Sequence, residues 1–105
     1  MIDMEFQIKS RNEVFRIKQM NAIETLALNT QISFQNMKKT TALFNTVLER
    51  IEVKCGNDWL PVKEKDQDVF YPAGIENDLN AIDELITYFM NDYLKPIFMK
   101  SNESN

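Results

Sequence analysis

Three short constellations in this chain carry residue types capable of chemistry. Glu52-Val53-Lys54 has the Glu-x-Lys spacing with which metal-dependent nucleases hold magnesium on an acid and steady a hydroxide with the lysine. Such a centre needs a further aspartate on a neighbouring strand, and the only one upstream is Asp3. Alternating charges on the wet face of a strand account for the triplet equally well. Asp66-Gln67-Asp68 opens like a calcium loop, but Tyr71 stands where that loop requires glycine, and no glutamate falls in register for bidentate closure. Cys55, at a strand end before Gly56 and without an evident base, reads as a small apolar residue.

The chain has no histidine. That removes the commonest general base near neutral pH and the commonest ligand for zinc, copper and non-haem iron. Ser-His and Cys-His nucleophile pairs cannot be built. With a single cysteine there is no internal disulfide and no cysteine cluster for zinc, which suits a cytosolic setting. A non-enzymatic protein without metal or cofactor is the expectation. No signal peptide is expected at the start, and no apolar run approaches the roughly 18 residues that would span a bilayer.

Charge is uneven. Residues 1–55 carry eight basic and six acidic side chains, whereas residues 56–105 carry four and ten, and the whole chain sums to −4. Seven acids lie between Glu64 and Glu84: Glu64, Asp66, Asp68, Glu76, Asp78, Asp83 and Glu84. The plain reading is a solvated loop followed by acids near a helix N-terminus, where the macrodipole favours them. The sharper reading is an acidic surface that meets a basic partner. The scattered lysines and arginines form no stripe, so nucleic acid is not expected as a partner.

The elements that would position these residues follow from periodicity. Met4 to Ile8 alternates apolar and polar and predicts a short strand, as does Val14 to Lys18, with the polar turn 10–13 between them. A first helix starts after Asn21, which can cap it, with Glu24 completing a capping box; Ile23, Leu26 and Ala27 give it an apolar face, and residues 29–31 end it. A second helix spans Phe34 to Arg50 behind Ser33 as cap. Phe34, Met37, Thr41, Phe44 and Leu48 form its stripe, with Lys38 and Lys39 on the wet side. Ile51 to Cys55, the turn Gly56-Asn57-Asp58 and Trp59 to Lys63 form a β-hairpin, and Pro61 puts its second strand at an edge. Residues 64–74 form a loop whose Phe70 and Tyr71 cover one end of the core. The expected class is α+β: three helices packed on a small antiparallel β-sheet containing a hairpin. One domain spans 1–100, with a frayed tail at 101–105.

A last helix is expected from Ile75 to Phe98, with Pro96 kinking or shortening its end. Ile75, Leu79, Ile82, Ile86, Phe89 and Tyr93 fall on one stripe roughly 80° wide. Leu85, Met90, Leu94 and Ile97 widen the apolar face to about half the circumference, more than one small core requires. The surplus predicts a surface that meets a partner, made of Phe89, Met90, Tyr93, Leu94 and Phe98.

Four stretches carry a likeness to a known family: Phe15 to Leu28 (FRIKQMNAIETLAL), Trp59 to Glu64 (WLPVKE), Tyr71 to Ile75 (YPAGI) and Phe89 to Phe98 (FMNDYLKPIF). With the order of elements, they make most of residues 14–101 resemble the small tail assembly chaperones of long-tailed bacteriophages and prophages, particularly those of Gram-positive hosts. The resemblance implies a host-cytoplasmic protein that binds the long helical tape measure protein while tail tube protein subunits polymerise around it. It also implies a longer frameshifted form in some members. A holdase for amphipathic helices needs an exposed apolar face and no catalytic group, and tends to form a homo-oligomer through similar surfaces. The alternative is a small acidic phage protein that inhibits a host defence complex by occupying a basic nucleic-acid-binding surface with residues 64–84.

Overall fold

The computed structural model describes residues 5–34 and 41–94. Four strands pair antiparallel in chain order: β1 (Glu5–Phe6), β2 (Phe15–Ile17), β3 (Ile51–Cys55) and β4 (Asp58–Pro61). Three α-helices complete the α+β fold: α1 (Ala22–Phe34), α2 (Thr41–Glu49) and α3 (Leu79–Tyr88). The β3–β4 hairpin closes through Gly56 and Asn57, with Cys55 opposite Asp58. Gly56 takes φ 65, which matches the first central position of a type II′ turn and which a side chain would disfavour. β4 is an outer strand, so the missing Pro61 donor interrupts no further ladder.

Period two sorts the sheet into an oily and a polar face. Phe6, Phe15 and Val53 share one face with Ile17 and Ile51. That face meets Leu43, Val47 and Leu48 of α2 and Ala81, Leu85 and Ile86 of α3 in a single core cluster. On the other face Arg16 donates to Glu52 at 2.8 Å and lies 4.2 Å over the Trp59 ring. Lys63 is the one buried charged residue described. Its ammonium meets Glu49 at 3.3 Å and donates to the Glu64 carbonyl at 3.1 Å.

Several boundaries differ from those expected. α1 runs to Phe34 instead of ending at residues 29–31, so Ser33 lies within α1 and is no cap for α2. The helix expected from Ile75 is broken: Ile75–Asn77 is a single 3-10 turn, and α3 begins after Asp78, whose carboxylate accepts from the Ala81 N–H at 3.1 Å. Past Tyr88 the helix continues as a π-helical segment, Phe89–Leu94. Met4, Met37, Lys38, Lys39, Pro96, Ile97 and the 101–105 tail lie outside the described residues. The loop after β4 is locally ordered by an isolated bridge between Lys63 and Phe70 and by the Tyr71 N–H donating to the Val62 carbonyl at 2.9 Å. Phe70 and Tyr71 pack against the core as expected.

Candidate functional site

The face expected on the last helix is largely enclosed. Phe89 is fully buried and Leu94 is 4% exposed, so neither is available to a partner. Met90 and Tyr93 are half-buried against the core, and Phe98 lies outside the described residues. Two geometric causes combine. First, the buried residues Ala81, Leu85, Ile86 and Phe89 centre a stripe turned by about 60° from the expected one, at 100° per residue. Leu79, in the expected stripe, is 80% exposed, whereas Leu85, at its margin, is fully buried. Second, five α-helical residues would set Leu94 about 140° away from Phe89. The i to i+5 bonding of the π-helical segment instead brings both onto the core side.

Aromatic packing holds this rotation. Phe6 of β1 stacks on Tyr88 with ring centroids 3.7 Å apart, and on Phe15 at 5.9 Å. Burial pushes the Tyr88 and Tyr93 phenols above their ordinary values. α3 is also strapped to the β1–β2 loop. Glu84 accepts from the Lys9 and Ser10 amides at 2.8 and 3.2 Å and from the Ser10 hydroxyl. Arg11 bridges Glu13 at 2.9 Å and Asp78 at 3.0 Å. The Ser10 hydroxyl and the two amides hold the Glu84 carboxyl below its usual range. For Asp78 the Ala81 amide and then Arg11 do the same, and Arg11 lowers Glu13. Two of the seven acids between 64 and 84 are thus spent inside the fold, while Asp66, Asp68, Glu76 and Asp83 are exposed.

The remaining chemical candidates resolve into structure. The Glu52 carboxylate is paired with Arg16, and no group of three metal-capable side chains gathers among the described residues. Cys55 is a half-buried free thiol packed against the core.

Among the described residues four large apolar side chains are exposed: Val69 and Leu79 stand singly, and Ile23 and Leu26 lie together on α1. Asn21 and Glu24 close the expected capping box: the Glu24 amide donates to Asn21 Oδ1 at 2.8 Å, and the Asn21 amide donates to Glu24 Oε1 at 3.3 Å. Leu28 anchors the helix, 4% exposed in the core. Ile23, Leu26 and Thr30 lie about 140–160° from Leu28 around the helix, on its outer side. Ile23 is 79% and Leu26 62% exposed, and Ala22 and Ala27 beside them are exposed too. The apolar face expected to anchor this helix therefore points outward. Among the 13 residues of α1, Glu24 alone is charged, and Arg50 neutralises it at 3.3 Å. A shallow cleft of ≈ 240 Å³ between α1 and the end of α2 is lined by Ile23, Glu24, Ala27, Leu28, Thr46 and Arg50. The sequence signal was already present, because Ile23, Leu26 and Ala27 form a stripe that omits Leu28.

No protein-family model, curated protein or solved structure matches this chain. No helix among the described residues is long and apolar enough to cross a membrane.

Proposed function

We propose that this protein is a non-enzymatic tail assembly chaperone that shields apolar helical segments of a tape measure protein during phage tail morphogenesis. One observation carries the reading: α1 turns Ile23 and Leu26 outward, while the single charged residue of the helix, Glu24, lies on the Leu28 side and is paired with Arg50. Amphipathic helices dock on such faces by setting their own i, i+3, i+4 ridges against the exposed ones. The gain is hydrophobic and indifferent to partner charge, which suits a holdase for a long helical substrate. The stretch Phe15 to Leu28, part of the likeness to tail assembly chaperones, includes this surface.

Co-expression with tape measure fragments tests the proposal. The wild-type chain should co-purify with them, and Leu26→Asp should lose them while its unfolding midpoint stays unchanged. Retention of the fragments by both Leu26→Asp and Ile23→Asp would remove α1 as the holding face. Leu94→Asp is unsuited to this test, because a charge buried beside Phe89 unfolds the domain before binding can be read.

A further inference from the structure

A groove runs between the first strand and α3, on a face that the α1 reading does not use. Glu84 of α3 accepts from the Lys9 and Ser10 amides, and Tyr88, one turn later, stacks on Phe6. Strand and helix therefore lie side by side and run in opposite directions. The space they leave is ≈ 480 Å³, lined by Gln7 and Lys9 on one side and by Asp83, Thr87, Tyr88 and Asp92 on the other. We infer that this groove takes an extended, lysine- or arginine-bearing segment of a partner protein, which adds a strand to the outer edge of β1. The inference does not depend on the tape measure reading, since it uses none of α1.

Backbone geometry leaves that edge open. The Lys54 N–H donates to the Val14 carbonyl and the Lys18 N–H to the Arg50 carbonyl, so the even-numbered residues of β2 bond toward β3. Phe15 then turns its main-chain groups toward β1, where Phe6 stands opposite. With Phe6 committed to Phe15, the amide and carbonyl of Glu5 point away from the sheet. Burial keeps alternating past β1, with Gln7 exposed and Ile8 buried, so Gln7 presents its main chain the same way. Neither residue is the proline that blunts β4 at the opposite edge.

Charge selects the occupant. The groove lining carries three carboxylates, Asp83, Glu84 and Asp92, against the single ammonium of Lys9, a net charge of −2. Glu84 is already held by the β1–β2 loop, but Asp83 and Asp92 are exposed. Burial raises the Tyr88 phenol and the neighbouring Asp92 carboxylate raises it further, so that end of the groove favours positive charge. Asp92 follows Asp83 by nine positions, roughly 13 Å along a helix. Four steps of a strand cover about the same length and return to the same face. Basic side chains at i and i+4 of an added strand thus match the two acids, while its main chain bonds to Glu5 and Gln7. A second copy of this chain is a poor occupant, because its own β1 edge would bring the same acids against these.

The test uses the full chain and a short fluorescent peptide of alternating lysine and threonine. Anisotropy should show binding that weakens with added salt and is absent when glutamate replaces the peptide's lysines. Asp83→Asn with Asp92→Asn should weaken binding about five- to tenfold at an unchanged unfolding midpoint, whereas Asp66→Asn with Asp68→Asn should leave it unchanged. Hydrogen exchange reads the edge: bound peptide should slow the Glu5 and Gln7 amides and leave those of α1 as they were. No binding at about 1 mM peptide, or equal losses from the two pairs of substitutions, overturns the inference. So does binding that leaves the Glu5 and Gln7 amides unprotected, which would be charge attraction without an added strand.

Discussion

Helices α1 and α3 use their apolar residues in opposite ways. α3 and its π-helical extension hold the richer set, yet Ala81, Leu85, Ile86, Phe89 and Leu94 are all taken up by the core. α1 commits Leu28 inward and leaves Ile23 and Leu26 in water. The amount of apolar surface on a helix does not predict how much of it stays available. What decides is whether the sheet and the neighbouring helix have facing volume to accept it. The oily sheet face, with Phe6, Phe15 and Val53, accepts α3. α1 is held to the rest of the molecule by, among others, Leu28 and the Glu24–Arg50 pair.

The comparison breaks most sharply with core truncation. Phe89→Ala should cost about 3–5 kcal/mol in denaturant unfolding, because it removes a fully buried ring and leaves a cavity. Leu26→Ala, on an exposed surface, should change stability by less than about 0.5 kcal/mol. Equal effects would place α1 in the core.

A smaller effect tests the strap between α3 and the β1–β2 loop. Glu84, Asp78 and Glu13 have carboxyls lowered in the folded state, so they add stability above the ordinary carboxylate range near pH 4. That contribution disappears as pH falls through the folded-state values. The unfolding midpoint should drop between pH 5 and pH 3, and Glu84→Gln should flatten the drop. An unchanged profile in that variant would mean that the carboxylate does not hold the loop.

The smallest effect belongs to the cap of α1. Asn21→Ala should cost about 1 kcal/mol and speed amide hydrogen exchange within α1 while leaving α3 protected. Faster exchange spreading equally into α3 would show that the two helices open as one unit.

Local chemistry made much of this fold legible. The hairpin turn, the Asn21–Glu24 capping box, the edge position of Pro61 and the packing of Phe70 and Tyr71 depend on neighbours within a few residues or on one backbone donor. The candidate face was less legible because it depends on partners distant in the chain. Ala81 is too small to register in an apolar stripe, yet it is fully buried and, with Leu85, marks the side toward which the buried stripe is turned. Phe6, more than 80 residues upstream, recruits Tyr88 and fixes the rotation. The π-helical segment then carries Leu94 inward, where α-helical counting would have left it off the core. The outward turn of α1 had a local hint, since its stripe omits Leu28. Only the finished packing shows that Leu28, alone among those residues, is the anchor.

Under the proposed function α1, and not the end of α3, would meet apolar helices. Methyl-resolved NMR of the labelled chain, titrated with a helical tape measure peptide, tests it directly. Shifts at Ile23 and Leu26 that saturate together, with Leu85 and Leu94 unmoved, are the expected result. Shifts confined to Leu85, Leu94 and their neighbours, with Ile23 and Leu26 silent, would contradict it.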